Sequence, residues 1–267
     1  MLFAGKDSPD CSDFIKNFLS SNRKVSCACE AESDISGAKK TVAERKAFMQ
    51  SYEEEKNIEA QSGSCTFEWN RTSSLSTRSL VLQTENTLGD IDEAVLYFDE
   101  EWYAVHSDKM DVHEVSRSAD EMITSYQTLA LELLERFEKK NIEQTKTLVF
   151  FLKSIPSISA AQKMPALRNG SKSIASPLIS AASNAFISFA ENIAALYSEQ
   201  NFVNIVLVKT DFYDDSWTKD LELSNWLCSY LDSLNENLSK KSNAKKNVQW
   251  IKPGAKVSGS KFRLFNF

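Results

Sequence analysis

At 267 residues, 42% of them hydrophobic and 25% charged, the chain is long enough to bury a sizeable core and has the composition of a globular protein. Its 31 basic against 37 acidic side chains leave a net charge of −6. That balance excludes nucleic acid and anionic membrane as main partners, because both require a surplus of Lys and Arg on one face. No apolar run approaches the roughly 18 residues of a membrane span. Five cysteines without a CxxC pair, and an opening segment unlike a secretory leader, make a reducing cytoplasmic setting the expectation.

Strand-like and helix-like segments alternate from the start. MLFA, ended by Gly5, reads as a buried strand. A helix capped by Asp10 or Ser12 follows, with Phe14, Ile15, Phe18 and Leu19 at spacings of three and four. Val25–Glu30 is a second strand, the charged stretch 36–60 a solvated surface helix, and Ser64–Trp69 a third strand. A helix over about 74–88 ends at Gly89, a suitable C-cap. Ala94–Phe98 is a fourth strand, apolar throughout, and residues 99–119 read as acidic and irregular. The next helix spans about 120–140, and Thr147–Leu152 is the most hydrophobic strand. A Ser/Ala/Pro-rich connection leads to a helix over Ser180–Tyr197, then a strand at Asn204–Val208. A helix near 221–238 and a last strand at Val248–Ile251 complete the set. This order implies one α/β domain over 1–267, a doubly wound parallel sheet of about seven strands with helices on both faces.

Four segments resemble the short-chain dehydrogenase/reductase family, whose Rossmann-like fold the alternation matches. The family's TGxxxGxG falls on Ala4–Cys11, where Gly5 stands at the first glycine but Pro9 and Cys11 replace the other two. Pro9 has no N–H to offer a phosphate, and a side chain at Cys11 fills space the phosphate needs. The GxxDxLVNNAG segment is matched by Gly89 and Asp92, with Leu96, Tyr97, Phe98 and Asp99 in place of NNAG. The YxxxK pair falls on Ser180 and Asn184, which cannot reproduce a phenol whose pKa is lowered by a neighbouring ammonium. Ser154 takes the place of the catalytic serine after the fifth strand, with Lys153 an equally reasonable alignment, and Lys209 and Thr210 replace a Pro-Gly after the sixth.

What the resemblance implies is a member of that family without its usual cofactor or catalytic residues. The degenerate positions are Gly5, Pro9 and Cys11 in the loop and Ser154, Ser180 and Asn184 in the centre. The expected function is non-catalytic, exercised through oligomerisation or protein–protein interaction, with no cofactor. An oxidoreductase using NAD(P) in a rearranged site is one alternative, and a small-ligand binding protein using the old crevice is another. The helices near 120–140 and 180–197 are apolar on more than one face, so self-association through them is expected, as in the family. His106 and His113 sit among acids at a spacing that matches no common zinc pattern, so a solvated loop is favoured over a metal site. Cys11 reads as a structural thiol, Trp217, Trp226 and Trp250 as core or interface residues, and the basic run Lys240–Lys246 as a solvated loop.

Overall fold

A computed structural model of the chain describes residues 1–30, 63–106, 111–140, 145–163, 173–211, 215–239 and 249–257. The charged stretch 36–60, the basic run Lys240–Lys246 and Val248 lie outside these residues. The strands are β1 (Leu2–Ala4), β2 (Val25–Glu30), β3 (Ser64–Trp69), β4 (Glu93–Asp99), β5 (Lys146–Lys153), β6 (Val203–Lys209) and β7 (Trp250–Ile251). They form one sheet in the order β3-β2-β1-β4-β5-β6-β7, and every pairing is parallel. The order reverses between β1 and β4. A crevice therefore opens at their carboxyl ends, where doubly wound sheets bind ligands.

Alternation along the strands divides the core in two. Leu2, Ala4, Leu96, Phe98, Leu148, Phe150 and Leu152 face one side, against helices α2 (Ser74–Leu88), α5 (Ser125–Lys139) and α7 (Pro177–Leu196). Phe3, Val95, Tyr97, Val149 and Phe151 face the other, against α1 (Ser12–Ser20) and α8 (Asp220–Ser239). Because β1, β4 and β5 are covered on both faces, their sequences are continuous apolar runs. Phe14 of α1 is fully buried and stacks on Phe3 with ring centroids 4.8 Å apart.

Several boundaries differ from expectation for identifiable reasons. Neither Asp10 nor Ser12 caps α1: Cys11 holds the N-cap position without a side-chain bond, and Asp10 instead accepts a hydrogen bond from Trp102 Nε1 at 2.7 Å. Residues 99–119 are not irregular but carry α3 (Glu100–His106) and α4 (Val112–Ala119). The cap of α3 is Asp99, whose Oδ1 accepts from the backbone N–H of Glu101 (2.9 Å) and Trp102 (3.1 Å). A π-turn over Asp120–Thr124 separates α4 from α5. The connection before α7 contains a short helix, α6 (Ile158–Lys163). α7 itself begins at Pro177, three residues earlier than the Ser180 start read from sequence, because Ser176 caps it and Pro177 suits the first helical position.

Of the two apolar helices, α5 buries Leu129, Ala130, Leu133 and Leu134 within this chain and exposes Leu131, while α7 exposes Leu196. Among the described residues no helix is long and apolar enough to cross a membrane.

Gly5 owes its identity to packing. A Cβ there would lie 2.3 Å from the carbonyl oxygen of Tyr97 and 2.8 Å from its Cβ, and a backbone atom cannot swing aside. Gly5→Ala should force β1 and β4 apart and destabilise the protein by about 1–3 kcal/mol, the usual cost of overpacking. Phe14→Ala, which empties the centre of the aromatic cluster, should cost about 3–5 kcal/mol. Urea-induced unfolding of the two variants checks both values.

Candidate functional site

The carboxyl ends of β1, β4 and β5 bring together charges that lie far apart in sequence. Lys6, just past β1, places its ammonium 2.7 Å from Asp99 and 2.6 Å from Asp220 at the start of α8. Lys153, the last residue of β5, lies 3.4 Å from Asp99, 3.5 Å from Asp220 and 3.0 Å from Glu101. The Tyr97 hydroxyl donates to Asp220 at 3.0 Å and to Asp99 at 3.4 Å. Asp99 is 1% exposed and both lysine side chains are about a tenth exposed, so water screens these pairs little.

Protonation in this cluster is held firmly. Burial disfavours the Lys6 and Lys153 ammonium groups, but the Asp99 and Asp220 carboxylates outweigh it and raise both above the usual lysine range. Burial, reinforced by the same two carboxylates, pushes the Tyr97 phenol well above its usual value. At neutral pH the lysines stay charged and the phenol stays protonated.

A second ionic group lies across β1 and β3. Arg71, just after β3, donates to the Gly5 carbonyl at 2.6 Å and to both Asp7 carboxylate oxygens at 3.0 and 2.9 Å. Its guanidinium lies 4.8 Å from the Trp69 ring centre and 5.6 Å from that of Trp102, a cation–π arrangement. Trp102 in turn stacks on His106 with centroids 4.4 Å apart. Asp10, which accepts from Trp102, also lies 3.7 Å from His106 Nε2. Helix α3 is thereby fastened over the loop that follows β1.

The residues picked out from sequence fall in different places. Pro9 and Cys11 lie in the loop before α1, where three N–H groups are already used: Ser8 donates to Ala28, Cys11 to Asp7 and Ser12 to Pro9. The Cys11 thiol is buried, and its hydrogen bond with Cys27, aided by burial, raises its pKa. Leu96, Tyr97 and Phe98 are wholly buried. Ser154 follows Lys153, so the two alignments share one site. The Ser154 N–H donates to Thr210 Oγ1 at 2.9 Å, while its own hydroxyl is buried and finds no partner among the described residues. Ser180 and Asn184 are not brought to this cluster: Asn184 is exposed and bonds back to the Ser180 carbonyl at 2.7 Å. A buried polar residue of that helix is Ser183, which donates to Glu100. Among the described residues no group of three His, Cys, Asp or Glu side chains could hold a metal ion, and the His113 side chain lies outside them.

Glu100, Arg71 and Asp220 are site residues that sequence reading missed. Glu100 is 5% exposed. Burial raises its pKa, and hydrogen bonds from the Ser183 hydroxyl and the Ile155 N–H (2.7 Å) only partly oppose the shift. An acid whose folded pKa exceeds its unfolded value keeps its proton longer when folded, so its contribution to stability falls as pH rises through that window. Wild-type stability should therefore lose ground to Glu100→Gln as pH climbs above 4.5, which melting curves of the two proteins would show. Asp99→Asn should cost about 3–5 kcal/mol in chemical denaturation, because it removes the most deeply buried carboxylate that Lys6 and Lys153 share and weakens the α3 cap.

No protein-family model matches the chain, and no curated protein matches it by sequence. Solved structures do match its fold. A carbonyl reductase from Pseudomonas aeruginosa PAO1 superposes with a TM-score of 0.55 at 12% identity, covering 95% of this chain and 96% of that one. Enoyl-[acyl-carrier-protein] reductase (NADH) from Aquifex aeolicus VF5 gives 0.53 at 12% identity, covering 94% and 93%. A short-chain dehydrogenase/reductase, glucose/ribitol dehydrogenase, from Brucella melitensis gives 0.52 at 12% identity, with the same coverage. These likenesses correct the expectation that no cofactor is involved. The structures sharing this fold are named as dehydrogenases and reductases, one of them for NADH. The loop after β1 does not fit a pyrophosphate in the usual cradle, since Pro9 has no N–H, the amides of Ser8, Cys11 and Ser12 are bonded within the protein, and Asp7 and Asp10 bring negative charge. The architecture itself is plain: the chain has the Rossmann-like fold of the short-chain dehydrogenases/reductases.

Proposed function

We propose that this chain is a non-catalytic binding protein built on a dehydrogenase/reductase framework, divergent at the positions that would carry the family's chemistry. Its crevice holds a small ligand without exchanging a proton with it. The observation that carries the reading is the closed ionic cluster of Lys6, Lys153, Asp99, Asp220 and Tyr97. Acid–base catalysis needs a group whose pKa lies near the working pH, and the neighbours of Tyr97, Lys6 and Lys153 drive all three away from neutrality. A nucleotide cofactor, which the NADH-named reductase of the same fold suggests, would have to bind outside the usual phosphate cradle and would not be turned over. Five free thiols suit a reducing compartment such as the cytoplasm.

A second reading, an oxidoreductase with a rearranged centre, is favoured by Glu100, a buried carboxyl whose pKa moves towards neutrality, and by the reductases that share the fold. Self-association is a separate proposal. It is supported by Leu131 on α5 and Leu196 on α7, which stay exposed on helices otherwise packed into the core, and sedimentation of a lone monomer at micromolar concentration would argue against it.

Incubating the purified protein with NADH or NADPH and a panel of ketones and aldehydes separates the first two readings. No loss of reduced nicotinamide above the buffer rate is the expected result. Turnover that disappears in Glu100→Gln would overturn the non-catalytic reading in favour of the second.

A further inference from the structure

Two of the five cysteines meet beneath the loop that follows β1. Cys11 holds the N-cap position of α1 and is 1% exposed. Cys27 lies in β2, 5% exposed, in register with Phe3 of β1 on one side and Thr66 of β3 on the other. Both belong to the core on the α1 side of the sheet. The Ser8 N–H, donating to the Ala28 carbonyl at 3.3 Å, pins the loop against β2 next to Cys27. The two thiols hydrogen-bond to each other there, and Cys27 Sγ also lies 3.3 Å from Thr66 Oγ1.

The other cysteines are placed differently. Cys65 faces the opposite side of the sheet, and Cys228 on α8 accepts from the Ser21 hydroxyl at 3.7 Å. Cys29 follows Cys27 on the same face of β2, but two strand residues span roughly 6.6 Å, near the outer limit of Cα separation for a disulfide. Its thiol is directed to the Phe67 carbonyl at 3.5 Å.

Thiols in contact are one two-electron step from a disulfide, and in reducing compartments such bonds serve as transient switches. Ser8, Pro9 and Asp10, directly before Cys11, are exposed. Local opening of this short loop brings water, and an oxidant of similar size, to the pair. Hydrogen peroxide is such an oxidant. One sulfur, as its thiolate, attacks a peroxide oxygen; the O–O bond breaks, a sulfenic acid forms, and the departing hydroxide takes up a proton as water. The second sulfur displaces the sulfenic hydroxyl, which leaves as another water with that thiol's proton. The two thiols lose two electrons and one peroxide is reduced to two waters. The contact with Cys27 and burial hold Cys11 protonated at neutral pH, so the step is slow there and quickens as pH rises.

We infer that Cys11 and Cys27 form a reversible disulfide under peroxide, a modification site that fastens the start of α1 to β2.

Peptide mapping without reductant, after the folded full chain has been treated with hydrogen peroxide, tests it. The expected product is two hydrogens lighter and carries Cys11 joined to Cys27. In denaturant it titrates with two fewer thiols than the five of the reduced chain, and dithiothreitol reverses the change. Its melting temperature should exceed that of the reduced chain, because the cross-link restricts the unfolded state. Cys29→Ser should link at the wild-type rate, and Cys11→Ser should not link at all. A different pairing, sulfinic acid at Cys11 or Cys27 in place of the link, linkage that needs Cys29, or five intact thiols after prolonged peroxide would overturn the inference.

Discussion

The carboxylate of Asp99 ties this fold together. One oxygen accepts two backbone N–H groups and so starts α3; the other receives Lys6 from the end of β1 and Lys153 from the end of β5. Neither role stands alone. The lysines offset the cost of burying the carboxylate, and the carboxylate offsets the cost of burying the lysines. Asp220 repeats the arrangement from the opposite side, where the acidic start of α8 also suits the helix dipole. Three strands and two helices thus converge on two carboxylates, at the point where doubly wound sheets place their ligands.

This convergence governs what the crevice can do. A dinucleotide fold draws phosphate into a loop of free amides at a helix N-terminus. Here amides of the loop are bonded to the loop itself and to β2, and Arg71 occupies the neighbouring volume, held between Trp69 and Trp102 and neutralised by Asp7. Internal ion pairs stand where a charged ligand would bring its own. A pocket among the described residues lies at the carboxyl ends of β5 and β6, next to the ionic cluster.

The sheet was readable from sequence because strands covered on both faces are continuous apolar runs. AVLYF and TLVFFL announce themselves, and the structure extends each by only a residue at either end. Helix α3 was not, because its residues EEWYAVH have no clean period and its acids look like a loop; the available signal was Asp99 followed by two glutamates, a cap with acidic residues in the first turn. The start of α7 was misjudged for a related reason, since Ser176–Pro177 is a helix opening and not the end of a linker.

The site was legible only in part, and the reason is physical. Motif positions announced what had changed at Pro9, Cys11, Ser180 and Asn184, but gave no account of what stands there instead. Lys6, Asp99, Lys153 and Asp220 are charges in four separate segments, and a lone charge carries no period or spacing. Only the parallel order of the strands, which aligns the carboxyl ends of β1, β4 and β5, turns them into one cluster. Gly5 shows the same limit from the other direction. As a motif it suggested phosphate, yet its backbone is pressed against Tyr97 so closely that packing alone demands a glycine. A retained glycine in such a loop is therefore evidence for the fold before it is evidence for a nucleotide.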